Sequence, residues 1–269
     1  MLGDRYNEDL KMKIWQIELT NRCNFSCVYC PRTHHMKRDI GVMTEATIDR
    51  IAEICSSKWI RLHHYGESLL YPRLVEYAIR QLKRHNIGVE LNSNGSATTV
   101  KNVKRILDAG LDNLVISWHP LNMRVNDSEA PSDTHIQTLI DNLTSDELRR
   151  IEVIRVVDET EIDQAKTEML PYKLQGLRMK IKRKRNLGQV NGIGPEEFNK
   201  DCSFLTEPEF AVLYDGTIVS CCEVYDKRDD WTLGSVFDKH LPGLNPGCSL
   251  CKGCIGYGGN TQETEKVEF

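Results

Sequence analysis

The chain has 269 residues, 40% hydrophobic and 28% charged, which excludes a disordered or collagen-like polypeptide. Its longest unbroken apolar run is five residues, Phe210 to Tyr214, against the roughly 20 a membrane-spanning helix needs, and its N-terminus lacks the apolar h-region of a secretory signal. A net charge of −4 creates no general attraction for nucleic acid, so a cytoplasmic protein without membrane or nucleic-acid partner is expected.

Residues 1–12 read as an N-terminal extension. A first strand is expected at 14–19, running into Thr20-Asn-Arg-Cys23-Asn-Phe-Ser-Cys27-Val-Tyr-Cys30-Pro31. An amphipathic helix at 44–56 carries Ile48, Ile51, Ala52 and Cys55 on one face, which makes Cys55 a packed core thiol. A strand at 59–64 precedes a helix at 72–85, opened by Pro72 in the first turn. A strand at 88–93 precedes a helix at 98–109, stopped by Gly110. Strands at 113–118, 151–157 and 177–182 alternate with helices at 134–143 and 159–169. Strand-then-helix repeated in this way implies parallel strands with right-handed crossovers. The fold class is therefore α/β, a partial (β/α)6 TIM-like barrel over residues 13–185, since full closure takes eight strands.

The remainder differs in character. Residues 186–200 are rich in Gly and Asn, contain Pro195 and read as a linker. Segments 210–214 and 217–222 flank Asp215-Gly216, a β-hairpin signal. With so little periodicity elsewhere, residues 201–269 need a staple, and a metal centre would supply it. They are expected to form a small auxiliary domain.

Nine of the ten cysteines fall in two groups, three at 23–30 and six at 202–254. A disulfide framework would be spread more evenly, and a reducing compartment favours metal ligation. Cys23, Cys27 and Cys30 follow a strand, where parallel α/β units place their sites. Three thiolates could hold three corners of a four-iron cluster and leave one iron open for chemistry. A zinc knuckle missing one ligand, a Cys27–Cys30 redox pair and unrelated core thiols are the alternatives. In the second group Cys202 and Cys221 bracket the hairpin, and Cys251-Lys-Gly-Cys254 can close one face of a metal site. Four thiolates there could saturate a second four-iron cluster or hold zinc.

The C-x3-C-x2-C motif, with Tyr29 before its last cysteine, resembles the radical S-adenosylmethionine superfamily. The resemblance implies a [4Fe-4S] cluster on Cys23, Cys27 and Cys30, S-adenosyl-L-methionine chelated to its open iron, and a 5′-deoxyadenosyl radical that takes a hydrogen atom from substrate. It places the Tyr29 backbone near adenine. His63-His64-Tyr65-Gly66-Glu67 looks like that superfamily's Gly-Glu element, in which Glu67 offers an acceptor for the co-substrate's ammonium group and Gly66 permits close approach. Asn94 and Ser117, at later strand ends, could bond ribose or carboxylate.

The spacing C-x13-G-x4-C followed by C-x2-C is similar to the twitch form of the SPASM auxiliary-cluster domain. The whole chain resembles the sugar and aminocyclitol dehydrogenases and epimerases of that group, including those acting on 2-deoxy-scyllo-inosamine. The match implies a second [4Fe-4S] cluster on Cys202, Cys221, Cys251 and Cys254, a polar small-molecule substrate, a flavodoxin- or ferredoxin-type electron donor and a role in antibiotic biosynthesis. Cys222 and Cys248 are surplus, so Cys222 could replace Cys221, or Cys248 replace Cys251, in that set; neighbours in a strand face opposite sides, so Cys221 and Cys222 are not expected to share one cluster. Either surplus thiol could return a hydrogen atom to a substrate radical, giving epimerisation. Without such a donor, electron loss to the auxiliary cluster gives two-electron oxidation, the favoured outcome.

The basic run Lys180–Arg185 ends the sixth strand. Arg185 is the candidate for orienting an anionic or hydroxylated substrate group, and His34, His35 and His119 are candidate proton acceptors. The rivals are a peptide- or nucleic-acid-modifying radical enzyme and a zinc-stapled binding module. Oligomeric state is left open.

Overall fold

The computed structural model describes residues 11–27, 30–118, 133–157, 159–183, 207, 209–227 and 231–242. Its elements in chain order are β1 (Ile14–Ile17), α1 (Pro31–His34), α2 (Glu45–Ile54), β2 (Trp59–Arg61), α3 (Pro72–Arg84), β3 (Gly88–Ser93), α4 (Val100–Asp108), β4 (Asn113–Ser117), α5 (Asp133–Asn142), α6 (Ser145–Leu148), β5 (Ile151–Val157), α7 (Ile162–Leu174), β6 (Arg178–Arg183), β7 (Phe210–Val212), β8 (Thr217–Val219) and β9 (Thr232–Ser235).

The strands form one sheet in the order β6-β5-β4-β3-β2-β1-β7-β8-β9. β1 to β6 are parallel neighbours in sequence order, the arrangement of a partial barrel. β7 pairs parallel to the free side of β1, with Ile17 opposite Val212, so the hairpin extends this sheet. β7 and β8 are antiparallel, with Ala211 opposite Val219, and Gly216 takes the left-handed φ of 86° that the turn demands. β9 adds an antiparallel strand beyond the expected hairpin.

Thr44 caps α2 by accepting from the Thr47 N–H, and Thr99 caps α4 by accepting from Asn102. Thr144 and Glu147 close a reciprocal capping box on α6. The outward sides of the strands supply Ile60, Val89, Leu91, Leu114, Ile116, Val153 and Ile181, all buried with Ile48, Ile51, Val75, Ile79, Val103 and Ile106 of the helices in one core. Each such aliphatic side chain contributes about 1.5–3 kcal/mol on burial. Cys55 packs in this core, as its helical face predicted.

Several boundaries differ from expectation. β1 stops at Ile17 and β2 at Arg61, because the chain leaves both strands early to build the loops described below. β8 stops at Val219, so Cys221 and Cys222 lie in a turn and strand alternation does not govern where they point. α7 runs through Pro171 to Leu174.

Candidate functional site

The loop after β1 is locked before it reaches the first cysteine. Thr20 donates to the Gly41 carbonyl at 2.6 Å, and Asn21, fully buried, donates to Asp39 O at 2.8 Å while accepting from Gly41 N at 2.8 Å. Gly66 lies flat against the same loop. A Cβ there would stand 2.8 Å from the Thr20 carbonyl carbon and 2.9 Å from the Arg22 carbonyl oxygen, so only glycine fits. The next residue, Glu67, donates its N–H to Arg22 O at 2.8 Å. The ends of β1 and β2 are thereby held together directly before Cys23.

Cys23, Cys27 and Cys30 are each partly exposed. The Cys23 sulfur accepts from Phe25 N at 3.4 Å and Asn94 Nδ2 at 3.7 Å, and Arg32 ties the loop by donating to Phe25 O at 2.5 Å. Burial pushes the thiols of Cys23 and Cys30 up, against the lowering pull of nearby backbone N–H groups. A bound cation reverses that balance, since a coordinating thiol loses its proton. Among the described residues no three His, Cys, Asp or Glu side chains are close enough to hold a single metal ion. The fit to an iron-sulfur cluster therefore rests on donor chemistry: three accessible sulfurs in one loop, one already receiving N–H bonds of the kind that tune cluster thiolates.

Glu67 also has a structural job that its sequence did not suggest. It is 1% exposed, and its carboxylate accepts from Leu69 N at 3.0 Å, Ser93 Oγ at 3.0 Å and Asn94 N at 2.7 Å. With three protein donors it is a strut tying β2 to the end of β3. Burial pushes its pKa up, opposed by the Asn94 and Leu69 N–H bonds. Asn94 continues the line, donating to Asn24 Oδ1 at 3.0 Å and to the Cys23 sulfur. Ser117 closes β4 opposite Ile154, on the cavity-facing side shared with Asn113 and Val115.

Inside the strands lies a cavity of about 560 Å3. Gln16, Arg61, Glu90, Asn92, Asn113, Glu152, Lys180 and Lys182 turn into it from β1 to β6. Pro31, His63, Tyr65, Cys222 and Glu223 also line it. Pro31 adjoins Cys30, so the cysteine loop borders the cavity. At its amino-terminal end Arg61 Nε donates to Glu90 at 2.8 Å, Asn113 donates to Glu90 at 2.7 Å, and Lys180 stands 3.8 Å from Glu152. The sequence signal for this interior was period-two polar residues (Glu90 and Asn92, Lys180 and Lys182) in strands of a parallel sheet, which ordinarily are apolar on both faces.

A buried ionic cluster, not anticipated, joins the two cysteine-bearing regions. Arg38 donates through both terminal nitrogens to Glu18, at 2.6 and 2.5 Å. His64 bridges them onward, with Nδ1 3.2 Å from Glu18 and Nε2 3.0 Å from the Cys222 carbonyl oxygen. Arg38 also donates to Tyr225 O at 2.9 Å, and Asp226 accepts from Lys37 N and Arg38 N at 3.1 Å each. Burial alone would raise the Glu18 pKa; the His64 and Arg38 bonds overcome it and hold the group at about 2.

Of the other expected site residues, Cys222 lines the cavity, whereas Cys221 packs beside Ala211, Leu213, Val224 and Trp231. His34 ends α1 and His35 lies 6.0 Å from the Tyr225 ring, whereas His63 and His64 line the cavity. Tyr29, His119, Arg185, Cys202, Cys248, Cys251 and Cys254 lie outside the described residues.

The Radical SAM superfamily profile matches residues 17–166. The chain is 35% identical over 103 residues to an uncharacterized protein of Methanocaldococcus jannaschii, 38% of this chain and 32% of that one. It is 31% identical over 126 residues to a probable GTP 3′,8-cyclase of Pyrococcus horikoshii, 46% of this chain and 39% of the relative. It is 26% identical over 115 residues to the S-adenosyl-L-methionine-dependent 2-deoxy-scyllo-inosamine dehydrogenase of Niallia circulans, 39% of this chain and 44% of the relative. The matches thus span less than half the length of these relatives. The fold is similar to that of BtrN in complex with AdoMet and 2-DOIA (TM-score 0.63, 17% identity, covering 95% of this chain and 98% of that one). It is also similar to SuiB of Streptococcus suis bound to S-adenosylmethionine (TM-score 0.57, 13% identity, 91% and 70%). With the profile spanning more than half its length, the chain belongs to the radical SAM superfamily.

Proposed function

We propose that this protein binds a [4Fe-4S] cluster through Cys23, Cys27 and Cys30, binds S-adenosylmethionine beside it, and oxidises a polar small molecule of the sugar or aminocyclitol class by two electrons. The observation that carries this reading is the polar cavity bordered by Pro31, one residue from Cys30. The cluster and co-substrate, when bound, supply a 5′-deoxyadenosyl radical that removes a hydrogen atom from a substrate carbon. Asn94 and Phe25 orient Cys23. Glu67, whose Oε1 takes two protein donors and Oε2 one, holds the β2–β3 rim, and its remaining acceptor capacity with the backbone at 65–66 would meet the ammonium group. Ser117 and the Tyr29 backbone take the nucleoside side. Arg185 and His119 serve substrate orientation and proton acceptance. Cys202, Cys221, Cys251 and Cys254 would hold a second [4Fe-4S] cluster able to accept the electron, and a flavodoxin- or ferredoxin-type protein would supply the reducing one.

One observation favours a second outcome. Cys222 lines the cavity, placing a thiol where it could return a hydrogen atom to the substrate radical and invert the carbon. Cys248 is the other candidate for this role. Anaerobic incubation of the reconstituted protein with S-adenosylmethionine, reductant and candidate polyols and aminocyclitols separates the outcomes. Oxidation gives ketone matching 5′-deoxyadenosine. Epimerisation gives an isomer carrying solvent deuterium, abolished by Cys222→Ala or Cys248→Ala. Absence of 5′-deoxyadenosine with every substrate contradicts both.

A further inference from the structure

We propose that the cavity takes a hydroxylated substrate bearing an anionic group, carboxylate or phosphate, and that Lys182 is the residue that holds that group. The inference rests on the cavity being the substrate site and adds the substrate's charge and the residue that selects for it.

The cavity's cations are not equivalent. Arg61 is satisfied by Glu90 at 2.8 Å, and Lys180 has Glu152 at 3.8 Å. Lys182 stands one strand period further toward the carboxyl end of β6, opposite Val156, and lines the same cavity. Among the described residues no ion pair or hydrogen bond of its ammonium group is found. The groups acting on it are Lys180, Arg61, Glu152 and Glu90, the two cations opposing the two carboxylates. Burial and the Lys180 charge push its pKa down. A half-buried cation with no ion pair among the described residues is costly, and an anionic ligand group lowers that cost.

Two further atoms of the same cavity point to a ligand. His63 Nδ1 and Asn92 Oδ1 are buried and have no hydrogen-bond partner among the described residues; both residues line the cavity. Buried unsatisfied groups of this kind are rare, and each costs about 1–3 kcal/mol until paired. The Asn92 oxygen accepts only, so it calls for a ligand donor, as a hydroxyl supplies. Burial, with the Arg61 and His64 charges, holds His63 down at about 3, so it is a neutral imidazole at physiological pH and leaves Lys182 as the cation. One anion on Lys182 and hydroxyl groups on Asn92 and His63 describe a hydroxy acid or a sugar phosphate.

The test is isothermal titration calorimetry on the anaerobically reconstituted holoprotein with S-adenosylmethionine present. The probes are D-gluconate, glucose 6-phosphate and uncharged D-glucose. At least one anionic probe is expected to bind about tenfold or more tighter than glucose, and the stronger one identifies carboxylate or phosphate. Lys182→Met should abolish that preference and Lys182→Arg should keep most of it. Equal binding of charged and neutral probes, no binding of either anion, or a preference that survives Lys182→Met overturns the assignment. Reductant-dependent 5′-deoxyadenosine is measured on the same preparations. Its absence would defeat the radical reading, while the calorimetric preference still decides the role of Lys182.

Discussion

Gly66 and Thr20 are in backbone contact, so tight that a methyl group on Gly66 would fall on the Thr20 carbonyl. Through that contact the end of β2 fixes the path of the chain into Cys23. Gly66→Ala should destabilise the fold by about 1–3 kcal/mol, the ordinary cost of overpacking, and lower the iron retained after reconstitution. Denaturant titration and iron analysis of the variant check both. Wild-type stability together with wild-type iron would contradict the contact's role.

Glu18 supplies a pH signature. Its folded pKa of about 2 lies below the ordinary carboxylate value of 4.5, so its stabilisation is complete above pH 4.5 and is lost as pH falls toward 2. The shift corresponds to about 3 kcal/mol. Chemical denaturation at pH 6 and pH 3 should show a smaller acid loss for Glu18→Gln than for wild type. Identical losses would mean that the carboxylate is not held by Arg38 and His64.

Arg38→Met leaves that buried carboxylate without its two-pronged partner. Breaking a buried pair in this way costs about 3–5 kcal/mol. The effect should reach the segment carrying Cys221 and Cys222, because Arg38 and His64 also bond Tyr225 O and Cys222 O. Hydrogen exchange should rise at 221–226 in the variant. Unchanged protection there would separate the ionic cluster from the second cysteine group.

The ten cysteines should divide by function. Cys55→Ala removes a core thiol and should cost about 1 kcal/mol while leaving iron content and 5′-deoxyadenosine formation intact. Cys23→Ala, Cys27→Ala and Cys30→Ala should each abolish 5′-deoxyadenosine while leaving far-UV circular dichroism near wild type. Activity surviving any of the three would remove that residue from the ligand set.

Much of the architecture was legible because β4 and β5 are dense in Val, Ile and Leu, β3 and β6 alternate apolar with polar residues, and the strands alternate with helices. β3 and β5 lie where the pattern put them. The four-residue helices α1 and α6 escaped, being too short to show a period. β9 escaped because Gly234 interrupts it and its partner is β8, a pairing that only the folded chain reveals. In the site, local sequence suggested Gly66, Glu67 and Asn94, but not that Glu67 spends its carboxylate on Leu69, Ser93 and Asn94. That role depends on two strand ends meeting. Glu18, Arg38 and His64 were silent for the same reason: each looks like an ordinary polar residue until 20 to 46 residues of chain are folded between them.

Electron paramagnetic resonance of the anaerobically reduced protein, recorded before and after addition of S-adenosylmethionine, probes the N-terminal cluster most directly. A [4Fe-4S]+ signal that changes on addition, and that disappears in Cys23→Ala, is the result this account predicts. A signal indifferent to S-adenosylmethionine, or a wild-type protein that takes up zinc and no iron, would contradict it.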